Sequence, residues 1–537
     1  MIRWTFTALA LLVVCGCGGQ TADQATGASV DVLRRAIPAP PQSLDPHRAE
    51  GTGSGAILRD LYEGLIGEAP GGELVPGAAE SWTISDDGLT YTFLLREGLL
   101  WSNGDPLVAE HFASGLRRTI DPETASAYAP LLRPIQNATA VIAGEQDVAD
   151  LGIRALDART LEIRLEQPTP FFLGLLTSWV TFPLHQASFD AYGPRFVRPE
   201  HSVTNGPYTL ASQRVGDRIT LKKNPNYRDA ANVDIDQVEF LAIEDTATEL
   251  RLFEAGELDI TSSTPNGQFQ SLKARYGDQL HVTTNLSVYF MVFDLTEPPF
   301  SDVRLREALS IALDRKALTE SVLGAGQTGA FGVVPPGIAN YDSFSFDWRE
   351  LPRDEQLALA RQLYRDAGFT DDSPLQATLI YNTGDSHQKV AVALQAMVRE
   401  ALGARLEVTN QEFRVMLSNR NKRELWDIMR LGWTGDYNDP NTYLEIFRSE
   451  HPQNFASYSN PEYDALLDEA ARTLDTSTRR ELLYEAESTL MRDYPILPMY
   501  FYVSRHLVSE RVVGFAATPM DRTYSAHLEI SDSAATR

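Results

Sequence analysis

The alternation of apolar and polar positions along the chain predicts a mixed α/β protein. Period-two alternation, which is typical of half-buried strands, occurs in four segments: residues 90–95, 160–165, 219–223 and 238–243. Apolar residues at helical spacing predict four long amphipathic helices, at residues 352–367, 387–402, 461–474 and 477–491. Because the two periodicities alternate from about residue 31 onward, the pattern favours an interwoven α/β body.

The ends of two of these helices carry a recognisable signal. Gly368 and Gly403 follow the last periodic residues, where a left-handed C-terminal cap is usual. A further helical segment is predicted for residues 302–323. No fixed-period repeat and no long linker divides the chain, so we expect a multi-lobed body and not a string of independent modules.

The amino terminus has the pattern of an export signal. Arg3 precedes an apolar run at residues 4–14, which is too short to span a bilayer but long enough for a signal-peptide core. The sequence Val14-Cys-Gly-Cys17 resembles a bacterial lipobox, so residues 1–17 are interpreted as a lipoprotein signal peptide with its lipobox, which implies cleavage after Gly16 and lipidation at Cys17. An ordinary secretory signal is the alternative. Residues 18–30 are small and polar, as expected for a flexible tether.

Composition and charge narrow the possible partners. The 537 residues include 47 Lys and Arg against 73 Asp and Glu, a net charge of −26, and 43% are hydrophobic. This is a globular composition. The acidic surplus argues against nucleic-acid binding, because phosphate must be neutralised by basic side chains. No later segment approaches 18 continuous apolar residues, so we expect a soluble body apart from the lipid.

The catalytic motifs that match this sequence lack the flanking elements or partner residues that their chemistry requires. Cys15 and Cys17 are the only cysteines, so the folded body has no disulfide, thiolate metal cluster or cysteine nucleophile. Gly324-Ala-Gly-Gln-Thr-Gly329 matches a dinucleotide-binding pattern, but a predicted helix precedes it and Val333-Val-Pro-Pro-Gly337 follows, so a plain loop is favoured. Ser386-His-Gln-Lys389 lacks the Lys-Thr-Gly partner of penicillin-binding enzymes. The nine histidines are scattered and indicate no zinc site. We therefore predict no enzyme activity, no cofactor and no metal.

A series of motifs in chain order carries more information. It consists of Ser43-Leu-Asp-Pro-His47, Asp60-Leu-Tyr-Glu-Gly-Leu65, Pro76-Gly-Ala-Ala-Glu-Ser-Trp82, Asp87-Gly-Leu-Thr-Tyr-Thr-Phe-Leu-Leu-Arg96, Trp101-Ser-Asn-Gly-Asp-Pro106, Asn205-Gly-Pro-Tyr208, Gly256-Glu-Leu-Asp259, Pro299-Phe-Ser-Asp-Val-Arg304 and Gly432-Trp-Thr-Gly-Asp-Tyr-Asn-Asp-Pro440. Together they resemble the periplasmic oligopeptide-binding proteins, the solute-binding subunits of peptide ABC importers. The resemblance extends from about residue 31 to 530.

The resemblance implies a fold and its division into lobes. We expect a class II-like periplasmic binding protein with two α/β lobes and an additional inserted α/β domain. Lobe I would comprise residues 31–63, 188–286 and 504–537. The inserted domain II would cover residues 64–187, and lobe III residues 287–503. The family also implies a monomer that delivers short peptides to a membrane permease.

The resemblance also implies residues for the two ends of a peptide. Asp436 matches the aspartate that the family uses for the peptide ammonium group, and Gly432 and Trp433 belong to the same motif. Arg430 and His387 match family residues that receive the peptide carboxylate. Arg420 matches a further cleft arginine, although a one-residue insertion blurs that alignment. A solvated loop aspartate, a surface ion pair or a helix cap are the structural alternatives for these residues.

Aromatic and acidic positions complete the implied cleft. Tyr128, Phe413 and Tyr502 align with cleft aromatics, and Phe413 replaces a family tryptophan. Glu50 matches a glutamate that meets basic peptide side chains, although a solvated loop acid explains it equally well. A family lysine that serves the shortest peptides falls near Leu323, which puts dipeptide cargo in doubt.

Three functions of different classes stay open at this point. The first is a peptide receptor for an ABC importer. The second is a receptor of the same fold for a murein peptide, a nickel chelate or an opine. The third is a periplasmic hydrolase or a chaperone without an importer. The intact Gly-Trp-x-x-Asp-Tyr-Asn sequence favours the first, because a cargo without a free ammonium group would not require Asp436.

Overall fold

The computed structural model describes residues 31–531, except residues 215–216, 339–340, 420–421 and 423–424 and the side chains of residues 266, 385, 413, 414 and 417. The strands of this part of the chain are β1 Val32–Ile37, β2 Ile66–Glu68, β3 Leu74–Pro76, β4 Ala79–Ile84, β5 Thr90–Leu95, β6 Ile153–Ala155, β7 Thr160–Arg164, β8 Tyr208–Gln213, β9 Arg218–Lys223, β10 Gln237–Ala242, β11 Leu280–Phe293, β12 Thr328–Gly329, β13 Gln376–Asn382, β14 Arg405–Gln411, β15 Ile428–Thr434, β16 Ile496–Leu507, β17 Val512–Val513 and β18 Glu529–Ile530.

The α-helices of the same residues are α1 Gly51–Leu61, α2 Ala109–Ile120, α3 Ala138–Ile142, α4 Phe172–Leu175, α5 Gln186–Tyr192, α6 Thr246–Glu254, α7 Phe269–Tyr276, α8 Val303–Ala312, α9 Arg315–Ala317, α10 Arg353–Asp366, α11 Asp385–Leu402, α12 Phe413–Asn419, α13 Asn441–Leu444, α14 Pro461–Arg472 and α15 Thr476–Arg492. Short 3-10 turns occur between several of them, and a π-helical segment, Leu318–Leu323, continues α9.

Three sheets organise the molecule. Lobe I is built on the sheet β1-β10-β9-β8, the inserted domain on β4-β5-β7-β6, and lobe III on the six-stranded sheet β12-β16-β11-β15-β13-β14. The predicted α/β class with two lobes and an insertion is therefore confirmed. The residue boundaries proposed for the three parts stay predictions.

Burial explains why the sheets form two lobes. One hydrophobic core contains buried residues of lobe I and the inserted domain together, and a second core belongs to lobe III. A smaller cluster of lobe I packs around Phe253, Phe269 and Leu507. Because the inserted domain shares its core with lobe I, these two parts make one body, and lobe III makes the other.

The strands predicted from alternation are confirmed, and their register shows why they form. Tyr91 and Phe93 of β5 lie opposite Ile163 and Leu161 of β7, and all four side chains are buried. The intervening polar residues face outward, as expected for a sheet with one covered face. The period of two in the sequence therefore correctly predicts these two strands of the inserted domain.

The long helices are also confirmed, with one break. Gly368 and Gly403 adopt positive φ angles of 94° and 73° at the ends of α10 and α11. The predicted helix at residues 302–323 instead breaks after α8 at Leu313, whose ψ is 123°. The Asp314 carboxylate then accepts a hydrogen bond from the Ala317 backbone N–H at 2.9 Å, which starts α9.

Two long strands connect the lobes. Strands β11 and β16 pair antiparallel from Leu280 opposite Leu507 to Val292 opposite Ile496. The register shifts between Thr284 and Val288, so the ladder is interrupted midway along both strands. One end of the pair belongs to lobe I and the other to the sheet of lobe III. The interruption therefore lies where a bend between the lobes would be absorbed.

Candidate functional site

A cavity of about 680 Å³ opens between the inserted domain and lobe III. Tyr128 and Phe171 line it from the inserted domain, whereas Trp433, Asp436 and Glu445 line it from lobe III. Trp433 lies near the end of β15, and Asp436 follows two residues after this strand ends. Polar groups at the end of a strand, facing a cleft between two bodies, are the usual arrangement of a ligand site in α/β proteins.

Asp436 has an unpaired carboxylate that is exposed to this cavity. The preceding residue fixes the loop, because the Gly435 N–H donates to the Leu286 carbonyl at 2.8 Å. The Asp436 N–H donates to the Thr442 hydroxyl at 3.1 Å. Among the described residues, its carboxylate makes no hydrogen bond and no ion pair. Partial burial, followed by the nearby charge of Glu445, raises the pKa of Asp436. A cationic group at this position would stabilise the ionised carboxylate.

Arg430 lies three residues before Trp433, on the same strand, and is held by three groups. It donates to the Asn382 amide oxygen at 3.0 Å and to the Tyr502 hydroxyl at 2.8 Å. Its guanidinium stacks over the Tyr289 ring at 4.5 Å from the ring centre. Its Nε is buried without a partner. The partners of this cation are neutral, so its charge is uncompensated by any described ion pair.

His387, near the start of α11, belongs to the same cluster. Its ring centre is 5.6 Å from that of Tyr289, and its Nδ1 is buried without a hydrogen bond. Burial, followed by the charge of Arg430, lowers the pKa of His387 to about 4. His387 is therefore neutral at pH 7 when no anion is nearby. Arg430, His387 and Tyr502 thus lie together around Tyr289, and their roles toward a ligand stay predictions.

Tyr128 lines the cavity from the other body, and the charge of Glu50 acts on it. The Tyr128 ring packs edge-on against Trp179, with centroids 5.7 Å apart. Burial raises the pKa of Tyr128, and the charges of Glu50 and Asp436 raise it further. Glu50 precedes α1 and is exposed, and its side chain does not cap the helix. Tyr128 thus lies in the electrostatic field of both carboxylates.

The residue type at Gly432 is explained by close packing between strands. Gly432 lies opposite Tyr289 of β11, and a Cβ atom there would lie 3.0 Å from the Val288 carbonyl oxygen. A side chain would push β15 away from β11. Trp433, next along the strand, keeps its ring against the cavity, and its indole N–H has no partner among the described residues.

Three positions singled out from the sequence lie outside the described residues. These are Cys17, with the rest of residues 1–30, Arg420, and the side chain of Phe413. Their predicted roles stay predictions.

Several residues of the site were not found from the sequence. Tyr289 and Asn382 hold Arg430, and Glu445 faces Asp436, but none of them belongs to the motif that identified these two residues. Asn382 begins the segment Asn382-Thr-Gly-Asp-Ser-His387, so its closeness in sequence to His387 could have identified it as a site residue. Tyr289 and Glu445 carry no comparable signal, because their proximity depends on strand pairing and on the path of a loop.

The described part of the chain lacks both a cluster of metal-ligating side chains and a helix able to cross a membrane. No group of three or more His, Cys, Asp or Glu side chains there has the arrangement of a metal site. None of its helices combines the length and the apolar character needed to cross a bilayer.

Comparison with known proteins agrees with the geometry. Residues 73–455 match the family described as bacterial extracellular solute-binding proteins, family 5 Middle. The periplasmic oligopeptide-binding protein OppA of Escherichia coli strain K12 is 36% identical over 496 residues, which cover 91% of this chain and 90% of that protein.

Solved structures are similar over nearly the full chain. The unliganded open form of the periplasmic murein tripeptide-binding protein MppA has a TM-score of 0.89 and 34% identity, and covers 94% of this chain and 98% of that one. Haemophilus influenzae OppA in complex with the peptide RPPGFSPFR has a TM-score of 0.71 and 34% identity. The match covers 94% of this chain and 99% of that one. The lobe arrangement of the present structure is therefore closer to the open form.

Proposed function

The chain belongs to the bacterial extracellular solute-binding proteins of family 5, and from this premise we propose that it is a peptide receptor. It captures short peptides in the cleft between its two bodies and hands them to the membrane permease of an ABC importer. The relatives that support this proposal are named as binding proteins, so we propose a transport function without catalysis.

The observation that carries the proposal is the unpaired carboxylate of Asp436 in the interlobe cavity. A carboxylate that loses part of its hydration, and faces another carboxylate, is unfavourable until a cation binds. The amino terminus of a peptide supplies a cation with three hydrogen-bond donors. A peptide ammonium group would therefore supply the partner that the Asp436 carboxylate lacks among the described residues.

The cluster around Arg430 suits the other end of a peptide. Arg430 is held in place by Asn382, Tyr502 and Tyr289 without any described carboxylate to neutralise it. A ligand carboxylate would accept charge-assisted hydrogen bonds from Arg430 and from His387. We propose that these two residues receive the peptide carboxylate, with Gly432, Trp433, Tyr128, Tyr502, Phe413, Arg420 and Glu50 as further peptide contacts.

Closure would follow from the connection between the lobes. Two strands with an interrupted ladder join two separately packed cores, and the structure is closer to an open relative than to a peptide complex. Bending at residues 284–288 would bring Glu50 and Tyr128 toward lobe III and bury the cargo. The closed form would present a distinct surface to the permease.

We further propose a periplasmic location, because the relatives are named as periplasmic proteins. The lipobox-like sequence supports anchoring of a monomeric receptor through a lipid on Cys17, with residues 18–30 as a tether. The lobe boundaries given from the sequence belong to the same proposal.

A murein peptide is the second candidate cargo. The similarity to the murein tripeptide-binding protein favours it, and it would use the same Asp436 site. Native mass spectrometry of the protein purified from its own periplasm would separate the candidates. A ladder of masses of ordinary short peptides supports the main proposal, whereas a single muropeptide mass supports the second.

Calorimetry with Asp436→Ala and Asp436→Asn tests the site. We expect peptide affinity to fall roughly 30- to 1,000-fold, as for removal of one partner of a desolvated ion pair worth about 2–4 kcal/mol. The unfolding midpoint of the empty protein should stay within about 2 °C, because no described group depends on this carboxylate. Asp372→Ala, at an exposed position of lobe III, is the matched control. Unchanged affinity in Asp436→Ala would contradict the assignment.

A further inference from the structure

A second carboxylate faces the cavity beside Asp436. Glu445 follows α13 directly and begins a 3-10 turn whose next two residues, Ile446 and Phe447, are buried. The buried Asn441 amide donates to Glu445 Oε2 at 2.9 Å. The backbone of Glu445 is therefore anchored by its buried neighbours, and the hydrogen bond from Asn441 orients the Glu445 side chain. Among the described residues, Glu445 makes no ion pair.

The cavity as a whole has too few cations for its acids. Glu166, Asp436 and Glu445 line it, against Arg133 and His451. Burial lowers the pKa of His451, so it is neutral at pH 7. A single peptide ammonium at Asp436 would leave part of this negative charge uncompensated.

The remaining wall suits a long side chain that ends in a cation. Trp433, Phe171 and Tyr128 present aromatic surface to the same space. The aliphatic stem of Lys or Arg packs on such surface while its charged end reaches a carboxylate. An aromatic ring also attracts a nearby cation through its face.

We propose that Glu445 recognises the side chain of the first residue of the cargo, and that the preferred cargo is peptides beginning with Lys or Arg. This inference rests on the proposed function, because it assumes that the peptide ammonium binds Asp436. The α-ammonium then pairs with Asp436, and the basic side chain of the same residue reaches Glu445. The two cations of this first residue would thus pair with the two carboxylates of the cavity, Asp436 and Glu445.

Calorimetry with peptides that differ only at the first residue tests the inference. The pair is Lys-Ala-Ala-Ala and its norleucine counterpart, which has a similar stem without charge. We expect the wild-type protein to bind the lysine peptide at least about tenfold more tightly, and this preference to shrink as salt is raised. In Glu445→Gln, the ratio of the lysine-peptide affinity to the norleucine-peptide affinity should fall to about one. The affinity for the lysine peptide should fall, while that for the norleucine peptide stays unchanged. Glu450→Gln, an exposed acid on the following loop, should keep the wild-type ratio.

Each outcome supports or overturns the inference. A wild-type ratio near one, or a ratio that survives in Glu445→Gln, overturns it while peptide binding itself stands. If neither peptide, nor any longer homologue, binds the wild-type protein, the proposed function fails and the inference fails with it. If Glu445→Gln does not fold, Nζ-acetyl-lysine at the first position removes the charge from the ligand side. Equal affinity for lysine and acetyl-lysine peptides then overturns the inference.

Discussion

The ring of Phe269 packs against the backbone of Gly326, so closely that a Cβ atom on Gly326 would lie 3.0 Å from Phe269 Cζ. Gly326 also has a φ of 90°, which favours glycine. The neighbouring Ala325 is buried in the small core of lobe I that contains Phe269. The loop of the Gly-x-Gly-x-x-Gly pattern is therefore a packing contact against Phe269 and against Val282 of β11.

Gly326→Ala should destabilise the protein by about 1–3 kcal/mol, because it combines backbone strain with overpacking. Urea unfolding measures this. In the double variant with Phe269→Leu, the cost should be less than additive, since leucine lacks the ring atom that clashes. Gly267→Ala is the control, because nothing lies within 4 Å of its added methyl group. A fully additive double variant would show that the ring contact carries none of the cost.

Arg430→Met should reduce discrimination between peptides with a free carboxylate and the same peptides amidated at the carboxyl end. We expect the wild-type protein to prefer the free acid by about tenfold or more, and Arg430→Met to lose most of that preference. Tyr502→Phe removes one hydrogen bond to Arg430 and should have a smaller effect. Arg154→Met, on the surface of the inserted domain, is the control. Calorimetry that finds equal discrimination in Arg430→Met would exclude Arg430 as the carboxylate partner.

Peptide binding should take up protons at mildly acidic pH through His387. Burial and the charge of Arg430 lower the pKa of His387 to about 4. A bound carboxylate would oppose both effects and raise this pKa, so the His387 contribution strengthens binding as pH falls from 7 toward 5. Pairing of Asp436 with the peptide ammonium lowers the raised pKa of Asp436 and acts in the opposite direction, so the His387 contribution is the difference between the wild type and His387→Gln.

Calorimetry in buffers of different ionisation heat measures the protons taken up on binding. His387→Gln should lower the measured uptake by the His387 share, whereas His527→Gln, which removes another histidine with a lowered pKa, should leave it unchanged. Equal proton uptake in the wild type and in His387→Gln would argue against a carboxylate at His387.

The pair of His506 and Asp521 should make the free energy of unfolding depend on pH on both the acidic and the basic side of neutrality. His506 Nε2 is 2.8 Å from Asp521 Oδ1, and His506 Nδ1 is 2.8 Å from the Thr261 carbonyl oxygen. Burial lowers the pKa of His506, but the hydrogen bond and charge of Asp521 outweigh it and raise this pKa. Burial raises the pKa of Asp521, and His506 outweighs it and lowers that pKa.

The sign of the pH effect follows from these shifts. The raised His506 pKa gives stability that is complete below the ordinary histidine pKa of about 6.5 and is lost as pH rises through the raised value. The lowered Asp521 pKa gives stability that is lost in acid. Melting temperatures between pH 6 and 9 should therefore fall more steeply for the wild type than for His506→Gln. Parallel curves would contradict the prediction.

Local structure was largely predictable, and its one failure is instructive. The period of two in β5 and β7, and the glycines after α10 and α11, predicted these elements because each signal lies within a few residues. The predicted helix at residues 302–323 failed at Leu313. There the side chain of Asp314 competes for backbone hydrogen bonds and restarts the helix.

The sequence by itself determined the fold class, the order of the elements and the position of Asp436, because these depend on short-range periodicity and on motifs that are contiguous in the chain. Only the tertiary structure decided what surrounds that carboxylate. The pairing of β11 with β15 puts Tyr289 against Arg430, and the turn after α13 puts Glu445 beside Asp436. Charge acts through space, so the neighbours that set a pKa or select a cargo are fixed by folding and not by spacing along the chain.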